Sequence, residues 1–163
     1  MTTDPRSLID ALEEQRERLV ALALSVPADL RQTQFVGKWS LHEVIAHLIG
    51  WDRTNINTVD DLLAGRLPPF YDRYEPNWVG YNDELVAKHG DEDWDALMQE
   101  LSESQTAALL KLRSLSAKQL TQPGPVWRTR PVTIAGVLRF ATKDEYEHLG
   151  QIEALVAGAG SQR

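Results

Sequence analysis

Four histidines and a set of carboxylates carry most of the chemistry open to this 163-residue chain, because it has no cysteine. It therefore has no thiolate nucleophile, cysteine zinc knuckle or iron–sulfur ligand set, and thiol chemistry would need a thiol from a partner molecule. Asp144, Glu145 and His148 fall on a late segment whose apolar residues, Ile134, Val137, Leu138, Ala141, Ile152, Leu155 and Val156, recur at helical spacing. At about 100° per residue, His148 lies roughly 20° from the centre of that stripe, with Asp144 and Glu145 about 60° and about 40° to either side. Three ionisable groups thus interrupt an apolar face. Asp144 precedes His148 by one helical turn and Glu145 by slightly less, so either carboxylate can meet one ion together with the imidazole. Imidazole and carboxylate together suit zinc, nickel or ferrous iron.

A third ligand must come from another helix. His47 is the best candidate, since it flanks an earlier buried stripe one turn before Trp51. Asp52 and Asn55 also fall within that stripe, where a polar side chain must find partners. They could orient ligating imidazoles or contact a substrate. The bland alternative is that the late carboxylates form a solvated face beside Lys143 and that the histidines are merely hydrogen-bonded. His42-Glu43-Val-Ile-Ala-His47 looks like a metalloprotease motif, but its histidines are five residues apart, about 140° around a helix. They cannot grip one ion from one helix. Glu43 is occupied in a capping box, and His42 is expected to be solvated. His89 is expected to close a short helix, where a cation is favoured, and the five tryptophans are expected to pack. No nucleophile elbow and no phosphate-cradling glycine loop is present.

Four long amphipathic helices must position these groups. The first starts at Asp4 and Pro5, carries Leu8, Leu12, Leu19, Ala23 and Val26 inward, and stops at Pro27. The second starts from the capping box Ser40–Glu43 and runs to Ala64, with Gly65 free to turn left-handed. An aromatic connection, Arg66 to Pro76, leads to a short helix from Asn77 to His89. The acidic cluster at residues 91–93 opens the third long helix, and Thr133 caps the fourth after a turn-rich passage. Residues 158–163 are expected to fray. The pattern contains no convincing strand, repeat or linker. The expectation is one all-α domain over residues 1–163, a four-helix bundle with a short extra helix in its middle connection.

Composition sets the outer bounds. At this length a chain buries roughly 70% of its unfolded surface, enough for one core without staples. Seventeen basic against twenty-four acidic side chains give a net charge of −7. On that balance nucleic acid is not expected as a partner, since phosphates are held by Lys and Arg. No apolar run approaches the roughly 20 residues of a membrane helix, and the first residues lack a signal-peptide pattern. The expected compartment is the cytoplasm, with no membrane partner.

The segment Trp39-Ser-Leu-His-Glu-Val-Ile-Ala-His47-Leu-Ile-Gly-Trp51-Asp52 resembles the W-S-x-x-E-V-x-x-H-L-x-x-W-E/D signature of DinB-like (DinB/YfiT) four-helix bundles. His148-Leu-Gly-Gln151-Ile152 resembles their late H-x-G-Q-I signature. The section with Trp78 and Asn82 is similar to the ClbS/DfsB branch. The resemblance implies a bundle, frequently a homodimer, that often holds a divalent metal by one histidine of the second helix and two of the fourth. Carried over, His47 matches the first ligand and His148 the last, while Asp144 departs from the middle histidine. Glu145 is the substitute if the helix is rotated.

Three functions follow from the resemblance. The leading one is a metal-dependent enzyme acting on a small molecule by hydrolysis or by transfer of a low-molecular-weight thiol. In it His47, Asp144 and His148 hold the ion, and Asp52 or Asn55 orients the substrate. The second drops the metal and uses Asn55, Tyr81 and Asn82 with an acidic residue to open or sequester a reactive electrophile. The third is a non-catalytic ligand-binding stress protein.

Overall fold

The computed structural model describes residues 4–90 and 92–160. Helix α1 spans Pro5–Ser25, and the amide of Arg6 donates to the Asp4 carboxylate at 3.2 Å, so the expected N-cap forms. Helix α2 spans Leu41–Leu63, its start fixed by the backbone N–H of Ser40 donating to Glu43 at 2.7 Å. Its end is the turn at Gly65, whose φ of +73° is in the region glycine adopts without strain. Two short helices follow, α3 at Phe70–Tyr74 and α4 at Trp78–Ala87, and then α5 at Trp94–Ser114. Asp93 caps α5 by accepting from the amide of Ala96, while Asp91 lies outside the described residues. A one-turn helix, α6 at Ala117–Thr121, precedes α7 at Ile134–Gly160, which Thr133 caps through the amide of Gly136 at 3.0 Å.

The four long helices close into a bundle in which α1 packs on α7 and α5, and α2 packs on α5 and α7. The spatial order around the bundle is therefore α1, α7, α2, α5. One apolar cluster joins Leu19, Ile45, Ile49, Leu97, Leu101 and Ile152 at the end that holds His47 and His148. A second joins Ile9, Leu12, Val59, Leu112, Ile134 and Leu138 at the other. Burying each such side chain contributes about 1.5–3 kcal/mol, which fixes the inward stripe of every long helix.

Three expectations need correction. Two strand pairs exist where none was expected: β1 (Gln34–Val36) with β2 (Trp39–Ser40), and β3 (Val126–Trp127) with β4 (Arg130–Pro131). Each turns on a left-handed residue, Gly37 or Arg128. Such short pairs have no room for a period-two pattern. The connections also contain α3 and α6, one-turn elements too short to display a helical stripe. Finally, α7 continues through Gly160, so residues 158–160 belong to the helix. The remaining three residues of the expected frayed end lie outside the described residues.

Candidate metal centre and its cleft

Helix α2 delivers His47, and α7 delivers Asp144 and His148, to one point between them. His47 Nε2 is 3.4 Å from Asp144 Oδ2, His148 Nε2 is 3.8 Å from the same oxygen, and the two imidazole rings are 5.0 Å apart. One ligand atom from each residue lies within 4.8 Å of the other two. A tetrahedral zinc ion with bonds of about 2.0–2.1 Å separates its ligand atoms by roughly 3.4 Å, so the spacing fits an ion with little movement. Both histidines are buried, and Asp144 is partly exposed.

Protonation and orientation also suit ligation. Burial, the largest influence, lowers the pKa of His47 below its ordinary value; hydrogen bonding to Asp144 pulls the other way and loses. Burial thus favours the neutral imidazole, the form that carries a lone pair for a metal. Burial alone would raise Asp144, but His47, His148 and Lys143 outweigh it and hold the carboxyl below its ordinary value. His148 Nδ1 donates to Gln151 Oε1 at 2.8 Å, which holds the ring with Nε2 turned toward Asp144. His47 has no such tether among the described residues: its buried Nδ1 finds no hydrogen-bond partner among them, and the ring is held by Trp39, with ring centres 4.8 Å apart, and by Trp51.

Asp52 and Glu145 share a partner from a third helix, and Asp52 also lines the cleft described below. Both are engaged by Arg16 of α1, which is 2% exposed and was missed in the sequence. Its guanidinium contacts Asp52 at 3.0 and 3.3 Å and both oxygens of Glu145, one of them at 2.8 Å. Ser104 of α5 donates to Asp52 at 2.7 Å, so one network ties all four long helices. Asp52 therefore faces Arg16 and Ser104. Glu145 is the residue turned away from the imidazoles, which leaves Asp144 as the α7 carboxylate that meets them. Burial raises the Glu145 pKa even against the opposing Arg16 charge. A legible signal existed: Ile9, Leu12, Leu19 and Ala23 follow three-four spacing that places Arg16 on the same stripe.

Asn55 lines a narrow cleft that runs between the helices beside this network and includes Asp144. Its walls are mostly apolar. Tyr81 and Asn82 do not line it; Asn82 accepts the indole N–H of Trp51 at 3.1 Å. Two other histidines differ from expectation. His42 is buried and donates to the carbonyl of Glu92 at 2.7 Å. His89 is buried between Glu92 and Glu100, its Nδ1 3.0 and 2.9 Å from them, with Arg53 alongside. Both roles come from α2 and α5 packing around the turn that joins α4 to α5, which local spacing does not encode.

The family model of the DinB superfamily matches residues 11–152. Among curated proteins no sequence matches. Three solved structures share the fold. The colibactin self-resistance protein ClbS, solved in complex with a double-stranded DNA, is 16% identical with a TM-score of 0.78, over 95% of this chain and 96% of that one. An uncharacterised Escherichia coli UTI89 protein is 13% identical with a TM-score of 0.81, over 98% and 96%. A Streptococcus pneumoniae protein is 15% identical with a TM-score of 0.78, over 95% and 91%. The ClbS complex overturns the exclusion of nucleic acid drawn from net charge. A phosphate backbone responds to the local placement of Lys and Arg, whereas net charge sums the whole surface. No described helix is long and apolar enough to cross a membrane.

Proposed function

Because the chain belongs to the DinB superfamily, we propose that it is a metal-dependent enzyme that acts on a small molecule by hydrolysis or thiol transfer. The observation that carries this reading is the convergence of His47, Asp144 and His148 within 4.8 Å, two of them buried and one reaching a cleft. A zinc, nickel or ferrous ion held by these three would supply Lewis acidity and lower the pKa of a water or thiol toward neutrality. His47 and His148 offer ring nitrogens, and Asp144 offers a carboxylate turned toward both of them. Asn55 presents an amide to whatever occupies the cleft. Asp52 contributes as a positioning residue: its pairing with Arg16 fixes the turn of α2 that follows His47.

Protein purified without a histidine tag should carry about one divalent ion per chain, and His47→Ala should lose it with its helical spectrum unchanged. Full loading of the His47→Ala variant would overturn the assignment. The metal-free reading, in which a reactive small molecule is opened or sequestered, differs in one measurable respect: its activity survives chelation. ClbS is named for self-resistance and was solved with a duplex, so activity is to be assayed with and without double-stranded DNA.

A further inference from the structure

Folded interiors are close-packed, with few voids larger than a water molecule. The cleft beside the candidate metal centre is a narrow opening in that packing, and its cause is visible. Ala108 of α5 and Ala141 of α7 both line it, and their short side chains leave unfilled the space that larger residues would occupy. The remaining walls are apolar and come from all four long helices: Leu12, Val59, Leu112 and Val137 are representative, and Phe140, half-exposed, stands beside Asp144.

The polar groups of the same cleft are few and mostly spent. Arg16, Asp52 and Glu145 satisfy one another. Lys111 is paired with Asp60. What remains for a ligand is the Asn55 amide, which has no partner among the described residues, and Asp144 at the metal centre. A strongly charged or sugar-like body would find almost no partners along the walls and would lose its hydration there.

We propose that the cleft holds the unbranched apolar tail of an amphipathic substrate, whose polar reacting head reaches Asp144 and whose neck is hydrogen-bonded by Asn55. This rests on the functional reading above and adds the substrate class to it. Burying each further methylene tightens binding by about fourfold until the cleft is full.

The test is calorimetric titration of the zinc-loaded full chain with straight-chain hydroxamates from acetohydroxamate to decanohydroxamate. The expected result is affinity rising about fourfold per methylene and then levelling. Ala141→Phe and, separately, Ala108→Phe should flatten that dependence while zinc stoichiometry stays unchanged. If either variant fails to fold, methyl spectra of the unaltered protein decide: decanohydroxamate, unlike acetohydroxamate, should shift the Leu12, Val59 and Leu112 methyls. Affinity independent of chain length, or a dependence that both filled variants keep, would overturn the proposal. Tails that bind a chain unable to take zinc would sink the metal reading alone; zinc bound with no tail preference would sink this one alone.

Discussion

His148 and His47 face the same carboxylate but are held there by different means, and the difference is testable residue by residue. Gln151 touches His148 on the nitrogen away from Asp144. Gln151→Leu should lower zinc affinity about 10–100-fold in a calorimetric titration, with Gln151→Glu restoring much of it. An unchanged affinity in the leucine variant would remove the tether's role. His47 reports through pH instead. Its folded pKa lies below the unfolded value of 6.5, so the unfolded chain binds protons first as pH falls. The stability of the metal-free protein should therefore decline through and below about pH 6.5, and Asp144, also lowered, adds a further decline near its unfolded value of 3.8. Glu145, whose pKa is raised, acts the other way around its own ordinary value. Urea unfolding of the parent against His47→Phe measures the first effect: the parent should lose more stability between about pH 7.5 and about pH 6. Arg16 gives the largest single prediction. Arg16→Met leaves two buried carboxylates uncompensated and should cost about 3–5 kcal/mol in the same assay. His47 and His148 are candidates from spacing because each interrupts or flanks an apolar stripe, while spacing leaves Asp144 and Glu145 as alternatives and the family resemblance favours Asp144. The partners of Asp52 and Glu145 could not, because Arg16 stands 36 and 129 residues away from them in the chain.

Among elements, the approach of α4 to α2 is set by a missing side chain. A Cβ added at Gly50 would lie 2.7 Å from Leu85 Cβ, so α4 packs where only glycine leaves room. That contact seats Tyr81 and Asn82 beside Trp51 and thereby holds the indole next to His47. Gly50→Ala should destabilise the protein by about 1–3 kcal/mol through overpacking, read as a shift in the urea midpoint. A shift within error would mean α4 moves away freely. The long helices were legible because caps and stripes coincide: Asp4 with Pro5, the Ser40–Glu43 pair, Asp93 and Thr133 each stand where a periodic run begins. The two strand pairs, α3 and α6 carry no repeat of their own. They are ordered by tertiary contacts such as Tyr71 against Trp127, 4.8 Å between ring centres.

At the scale of the molecule, the bundle brings the first, second, third and last long helices onto one buried ion network, with the metal centre beside it and the apolar cleft alongside. The network carries one guanidinium against two carboxylates, and Asp144 adds a third, so this part of the interior favours a cation before any ligand is considered. Net charge does not exclude a nucleic-acid partner, because it sums the whole surface and says nothing of where Lys and Arg are placed on it. An ion between α2 and α7 would show itself in anomalous diffraction at the zinc edge from crystals grown with zinc. One strong peak is expected within bonding distance of His47 Nε2, Asp144 Oδ2 and His148 Nε2. A map with no peak there, or with its principal peak among His89, Glu92 and Glu100, would contradict it.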